Sequence, residues 1–208
     1  MFQLVETIKS VDGKLLNVDF HNERMARSLS GLFGIKKMPD IGNIITVPEI
    51  ALKGVFKCRV IYDEKSFNIE FVPYIRRIVS SLAIVHDNNI EYSYKYTDRE
   101  NINILYDKRG SCDDILIVKN GMITDSSYAN VVFRDSNGTW NTPSTCLLHG
   151  TRRANMLRNG LIRETEISQR DILQYVEVKL INSMIGLDES EGIPVSEIFL
   201  LSDLESKK

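Results

Sequence analysis

Asx-Gly dipeptides separate short apolar segments of this chain and limit the folds that it can adopt. Three of them, Asp12-Gly13, Asn120-Gly121 and Asn137-Gly138, lie between such segments. Such a dipeptide between two apolar segments is typical of a tight β-hairpin turn. The first predicts strands over residues 2–8 and 14–18, and alternating apolar and polar residues on both sides of residues 62–66 predict a further hairpin. Much of the chain is therefore expected to form antiparallel strands.

Helical periodicity is confined to fewer segments. One helix is predicted from the spacing of four apolar residues, Met25, Leu29, Leu32 and Phe33. Gly34 is its expected end. A second helix is predicted over residues 98–108 and a third from Gly150, and Ser168 is the predicted N-cap of another because an acidic residue follows three positions later.

The order of predicted elements indicates an α+β fold with many antiparallel strands and a few helices. A strand is expected over residues 80–85, and the polar, turn-rich residues 86–89 follow it. We therefore place a boundary at this point. The chain is predicted to form a small N-terminal lobe, residues 1–87, and a larger C-terminal lobe, residues 88–208.

Composition and charge exclude several classes of partner. A net charge of -2 over 208 residues, with no long basic cluster, predicts no nucleic-acid binding. The apolar runs are too short to span a bilayer and the first nine residues do not resemble a secretory signal, so a cytoplasmic protein that does not enter membranes is expected. Three widely spaced cysteines, Cys58, Cys112 and Cys146, predict neither a disulfide framework nor a metal site.

Two short polar stretches contain side chains suited to catalysis with a cofactor. Lys95 begins a Lys-Tyr-Thr-Asp-Arg run, and Asp125 lies in a Thr-Asp-Ser-Ser-Tyr-Ala-Asn run. A lysine amine can hold an aldehyde cofactor as a Schiff base, and an acid can keep a pyridine ring protonated. Alone, the lysine is also compatible with a surface strand and the aspartate with a turn. Gly150, Thr151 and Arg152 at the start of a helix could hold a phosphate.

Taken together, the motifs resemble the class IV aminotransferases, the fold-type IV group of pyridoxal-phosphate enzymes. The resemblance runs from about Glu6 to Val195 and depends on the order of six motifs. They are His21-Asn22-Glu23-Arg24, residues 95–99, residues 124–133, Thr142-Pro143, residues 150–153, and Asn182-Ser183 with Pro194-Val195.

The resemblance implies a two-lobed fold with pyridoxal 5'-phosphate between the lobes, and it implies residue roles. Lys95 would form the Schiff base and move the proton at the substrate carbon, and Asp125 would stand in for the family's glutamate at the pyridine nitrogen. The implied phosphate-binding residues are Arg24, Thr151, Arg152 and Ser183.

The other implied roles are supporting. Arg99 and Asn130, the latter counted among the cofactor-binding residues, would orient the helix after Lys95 and brace the loop that carries Asp125. His21 would pack or cap beside Arg24. Lys9 is a candidate for the substrate carboxylate, with a solvent-facing strand lysine as the alternative.

The lysine neighbourhood looks closest to the lyase branch of the family. The implied reaction is that of a folate-pathway aminodeoxychorismate lyase, which releases pyruvate and 4-aminobenzoate from a small amino-acid-like substrate. The alternatives are an aminotransferase acting on a branched-chain or D-amino acid with 2-oxoglutarate, and a catalytically silent protein that binds the cofactor. The family also implies a homodimer. Relatives carry a segment ahead of the Glu6-Thr7 motif, so a shortened N-terminus and an altered substrate pocket are expected.

Overall fold

The computed structural model describes residues 3–38 and 40–202, and these form two compact units. The first unit contains the described residues up to Arg76 together with Tyr94–Asp98. The second contains Arg77–Ser93 and the described residues from Arg99 onward. The division therefore differs from the predicted lobes 1–87 and 88–208. Its reason is that Leu82–His86 pairs with a strand of the second unit, which places residues 77–93 there.

The first unit contains a four-stranded antiparallel sheet of order β2-β1-β3-β4. Its strands are β1 Leu4–Val11, β2 Lys14–Leu15, β3 Val55–Tyr62 and β4 Phe67–Pro73. The turn between β1 and β2 has the predicted geometry, because Asp12 and Gly13 have φ of 47° and 79°. The second strand is shorter than predicted because Val18 begins a helix. Phe2, at the start of the first predicted strand, lies outside the described residues.

Two α-helices, α1 Val18–Phe33 and α2 Ile41–Ile44, and a 3-10 helix, Glu49–Ala51, complete the first unit. Gly34 ends α1 in the left-handed region, with φ of 70°, and donates its N–H to the carbonyl of Ser30. The predicted helix stop is confirmed. One face of α1 packs with Leu4 and Ile8 of β1 in the core.

The second unit contains a nine-stranded sheet that is mostly antiparallel. Its strands are β5 Leu82–His86, β6 Asp114–Lys119, β7 Met122–Ser126, β8 Asn130–Asp135, β9 Trp140–Pro143, β10 Arg163–Thr165, β11 Tyr175–Ile181, β12 Ile193–Pro194 and β13 Ile198–Leu200. The main order is β10-β9-β8-β7-β6-β5-β13, with β11 also on β8 and β12 on β11. The pairs β5–β6, β5–β13 and β9–β10 are parallel.

The α-helices of the second unit are α3 Glu100–Tyr106 and α4 Thr151–Arg158. Its 3-10 helices are Asp107–Arg109, Gln169–Gln174 and Val195–Glu197. Ser168 and Asp171 form the predicted capping box, but the helix that they open is a 3-10 helix. No helix in the described ranges has the length and apolar content needed to cross a membrane.

Candidate active site

Lys95 lies in the first unit, on a segment that runs antiparallel to the start of β1. The N–H of Val5 donates to the Lys95 carbonyl at 2.9 Å, and the N–H of Thr97 donates to the carbonyl of Gln3 at 2.9 Å. The neighbouring rings of Tyr94 and Tyr96 pack against the core of this unit. Lys95 itself is half-buried. It belongs to a single β-bridge segment rather than to the end of a regular strand, and its backbone is fixed to β1.

A buried ionic cluster joins β1 to α1 in the same unit. Arg24 makes two hydrogen bonds to the carboxylate of Glu6, Nε to Oε1 at 3.0 Å and Nη2 to Oε2 at 2.6 Å. Nδ1 of His21 lies 2.5 Å from Glu6 Oε2. Glu6 and His21 are fully buried and Arg24 is nearly so. The cluster therefore holds Arg24, the predicted phosphate ligand, in one orientation.

The charges of this cluster follow from its contacts. Burial opposes ionisation of Glu6, but the positive charge of Arg24 and the hydrogen bond from His21 outweigh it and lower the Glu6 pKa to about 2. Burial also lowers the pKa of His21, and the charges of Arg24 and Lys95 lower it further, against the opposing effect of Glu6. Glu6 is thus an anion and His21 a neutral ring that donates from Nδ1. The charge of Lys95 acts on this cluster.

Sequence reasoning assigned no role to Glu6. The sequence does contain a signal for the burial of Glu6. Glu6 alternates with Leu4 and Ile8 and therefore lies on the core-facing side of β1. A carboxylate at such a position needs a cationic partner. The partner is found on α1, 18 residues further along the chain.

Lys9 lies on the other face of β1 and is 7% exposed. The alternative of a solvent-facing strand lysine is therefore wrong. Its partner across the sheet is Lys57 of β3, in direct register. A buried cationic residue fits the proposed role of a carboxylate ligand, which stays a prediction.

Asp125, in the second unit, is buried in β7 and accepts three hydrogen bonds. Oδ1 accepts from Nδ2 of Asn130 at 2.7 Å, and Oδ2 accepts from the N–H groups of Leu147 and Leu148 at 2.8 and 3.0 Å. Burial raises the Asp125 pKa to about 6, although these three donors pull it down. Because a carboxylate has about four acceptor positions, one further donor can be accommodated.

Asn130 ties Asp125 to the segment that leads into α4. Its Nδ2 also donates to the carbonyl of Leu148 at 2.8 Å. Its Oδ1 lies against Gly150, where an added Cβ would come within 2.0 Å of it. The bracing role predicted for Asn130 has this geometric basis, and Gly150 is required by close approach rather than by its backbone angles, which are φ -67° and ψ 143°.

Substitution of Gly150 by alanine is expected to destabilise the second unit by about 1–3 kcal/mol, the usual cost of overpacking. The side chain of Asn130 cannot yield without losing its bonds to Asp125 and Leu148. Urea unfolding of the purified variant measures the loss. Gly186→Ala is the matched control, because a Cβ there meets its nearest atoms at 3.4 and 3.6 Å. Equal midpoints for Gly150→Ala and the parent would contradict this account.

The start of α4 and the end of β11 bring two other predicted residues together. Nη2 of Arg152 lies 3.4 Å from the carbonyl of Ser183, and Arg152 Nε is buried with no hydrogen-bond partner among the described residues. Thr151 is buried at the first position of α4, where backbone N–H groups have no partner within the helix. Arg153, by contrast, is engaged by Glu164 and the carbonyl of Pro143. The arrangement suits an anion at this helix end.

Arg99 braces the turn that follows Asp125. Its Nη2 donates to the Ser127 carbonyl at 2.5 Å, and Oδ1 of the buried Asp114 accepts the Ser127 N–H at 3.2 Å. Asp114 also lies 3.3 Å from Nη1 of Arg77. Ionic side chains thus hold both the N–H and the carbonyl of Ser127.

A half-buried lysine, a buried acid and anion-binding groups at a helix start are side chains of the kinds that pyridoxal-phosphate chemistry uses. The sequence model for "Amino-transferase class IV" matches residues 62–198. The chain belongs to the class IV aminotransferase family, and it is an enzyme of the aminotransferase and lyase group.

Individual relatives are similar to this chain over most of its length. An uncharacterized protein of Haemophilus influenzae is 39% identical over 189 residues, which are 90% of this chain and 100% of that protein. A structure from Haemophilus somnus, provisionally named a 4-amino-4-deoxychorismate lyase, is 35% identical with a TM-score of 0.84, covering 90% of this chain and 98% of its own. A hypothetical aminotransferase from Mycobacterium tuberculosis, in its pyridoxal-phosphate-bound form, shares the fold, with a TM-score of 0.73, 17% identity and coverage of 92% of this chain and 80% of its own.

Pyridoxal 5'-phosphate is the cofactor of this family, and the residues present fit it. Arg152 Nε is a buried donor with no hydrogen-bond partner among the described residues, and it lies at the N-terminal end of α4, where the helix dipole favours an anion such as a phosphate. Asp125 has capacity for one more donor, such as a protonated ring nitrogen. Arg24 adds a guanidinium with a fixed orientation in the first unit.

Proposed function

We propose that this protein is a pyridoxal-phosphate-dependent lyase that releases pyruvate and 4-aminobenzoate from 4-amino-4-deoxychorismate. The observation that carries the proposal is its similarity, over nearly the whole length of both chains, to the Haemophilus somnus protein with the lyase name. The reaction would supply 4-aminobenzoate for folate synthesis.

The proposed roles follow from the chemistry of the side chains. When bound, the cofactor supplies a ring that accepts the electron pair left at the substrate carbon. Lys95 Nζ would carry the cofactor aldehyde and then take the proton from the carbon bearing the substrate amine. That carbon becomes part of the aromatic ring of 4-aminobenzoate, so the proton would pass to the departing enolpyruvyl group, whose CH2 becomes the CH3 of pyruvate. The half-buried position and fixed backbone of Lys95 suit this work, because they limit where the amine can reach.

The remaining residues would bind and orient. Asp125 would accept a hydrogen bond from the ring nitrogen, and its bonds to Asn130 and the Leu147–Leu148 backbone would hold it in place. The phosphate would be bound by Arg24 in the first unit and by Thr151, Arg152 and Ser183 in the second. Lys9, a buried lysine on β1, would bind a substrate carboxylate through a charge-assisted hydrogen bond. The proposed assembly is a cytoplasmic homodimer, which light scattering on the purified protein would check.

The assay that tests this proposal follows three products in parallel. Protein saturated with pyridoxal phosphate is given 4-amino-4-deoxychorismate, and pyruvate and 4-aminobenzoate are quantified. Equimolar release of both is expected. Glutamate formed from 2-oxoglutarate and a branched-chain or D-amino acid, without 4-aminobenzoate, would identify an aminotransferase instead. Bound cofactor with no product in either reaction would identify a silent cofactor-binding protein.

A further inference from the structure

We propose that Glu6 is a positioning residue that aims the Arg24 guanidinium at the cofactor phosphate, and so makes binding depend on that phosphate. The inference rests on the proposed role of Arg24. Glu6 itself would touch neither substrate nor cofactor.

The contact geometry favours this role. The Glu6 carboxylate accepts hydrogen bonds from Nε and Nη2 of Arg24, which lie along one edge of the planar guanidinium. A two-point contact fixes the plane as well as the position of the group, which a single contact would not do. Of the five N–H groups of an arginine these bonds use two, and the Nη1 edge is not used by Glu6. The Nη1 edge is therefore the edge that we assign to the cofactor phosphate.

Stability alone gives a weak reason for an ionic group at this place. Glu6 is fully buried in the same core as Leu4 and Ile8. Removing two charges from water costs free energy that their attraction only partly returns, and apolar side chains of similar size often serve a core equally well. A buried carboxylate whose partner is a candidate phosphate ligand is better explained by orientation of that ligand.

The surrounding groups reinforce the orientation. Nδ1 of His21, which lies on α1, is hydrogen-bonded to Oε2 of Glu6. This bond prevents the carboxylate from rotating away from Arg24. Ser28 donates its hydroxyl to the Arg24 carbonyl at 3.0 Å one turn further along α1. The charge of Lys95 reaches His21, so the cluster lies within electrostatic range of the proposed Schiff-base lysine. Glu6 offsets part of the positive charge of Arg24.

The test compares pyridoxal phosphate with pyridoxal, which has the same ring and aldehyde but no phosphate. Dissociation constants for both are measured by absorbance titration of the parent, Glu6→Gln, Arg24→Met and the double variant. For Glu6→Gln we expect about a tenfold or larger loss of affinity for pyridoxal phosphate and less than about a threefold loss for pyridoxal. The double variant should bind as Arg24→Met does, because Glu6 acts through Arg24.

Two further variants keep the test decisive. Glu70→Gln removes a glutamate that pairs with Arg59 on the same sheet, and it should leave both constants unchanged. Glu6→Asp keeps the negative charge but draws the carboxylate back by one methylene, so it guards against loss of folding in Glu6→Gln. Glu6→Asp should lower the affinity for pyridoxal phosphate more than the affinity for pyridoxal.

Several outcomes would overturn the proposal. Equal weakening of both ligands by Glu6→Gln and Glu6→Asp would give Glu6 a general structural role, and unchanged constants would give it none. If Arg24→Met left the preference for the phosphate intact while the parent bound both ligands, the role of Arg24 would fail and the role of Glu6 with it. Failure of the lyase assay with these binding results unchanged would affect only the assigned reaction.

Discussion

The Lys95→Ala protein is expected to lose completely the adduct that borohydride traps on the parent. A Schiff base needs a primary amine at the aldehyde carbon, and alanine has none. The parent with pyridoxal phosphate should show a visible absorption band that disappears on reduction, and peptide mapping should place the label on Lys95. The phosphate ligands are untouched in the variant, so it should still retain the cofactor, without covalent attachment.

Two other lysines provide controls for this experiment. Lys57 is half-buried on β3 of the same unit, and Lys108 is exposed in the second unit. Lys57→Ala and Lys108→Ala should be trapped as efficiently as the parent. Trapping of Lys95→Ala at the parent's level, or label on another lysine, would show that the cofactor is held elsewhere.

Local features of the fold were predictable because they depend on neighbouring residues. The dipeptide Asn120-Gly121 has φ of 52° and 77°, as a primed hairpin turn requires, and Gly34 ends α1. The capping box at Ser168 was also readable, although the helix after it is 3-10. In each case a few adjacent side chains determine the backbone.

Long-range pairing was not predictable from the same patterns. Leu82–His86 reads as a strand, but nothing in its composition shows that it runs parallel to Asp114–Val118 in the second unit. The return of Tyr94–Asp98 to the first unit depends on backbone bonds to Gln3 and Val5, about 90 residues earlier. Backbone hydrogen bonds carry no side-chain signature, so a boundary near residue 87 was the natural error.

The candidate site shows the same division. Lys95, Arg24 and Asp125 could be proposed from the sequence because each stands in a short motif with chemically suitable side chains. Glu6 and Asp114 were missed because their importance arises from burial and from partners distant in the chain. The donors that surround Asp125 are largely backbone N–H groups, and no sequence pattern identifies those.

The apo protein is expected to lose stability with rising pH because of Asp125. Its pKa in the folded protein is about 6, above its ordinary value of 3.8, so the folded state binds more protons than the unfolded state between these values. Stability therefore falls as pH rises, by ~3 kcal/mol in total and by roughly 2 kcal/mol from pH 4 to pH 7. Urea unfolding of the parent and of Asp125→Asn isolates this contribution, since Glu6 and the other groups are common to both. Parallel pH profiles for the two proteins would contradict the raised pKa.

The same titration should control cofactor binding if Asp125 faces the ring nitrogen. Only the ionised carboxylate accepts a hydrogen bond from a protonated nitrogen, and with a pKa of about 6 the ionised fraction rises about tenfold between pH 5 and pH 7. Affinity for pyridoxal phosphate, measured relative to Asp125→Asn, should rise by about the same factor. Because the free cofactor titrates in the same way in both experiments, its own pH dependence cancels in this ratio. An unchanged ratio across this range would leave Asp125 as a buried structural acid that holds Leu147 and Leu148, and the ring nitrogen would need another partner.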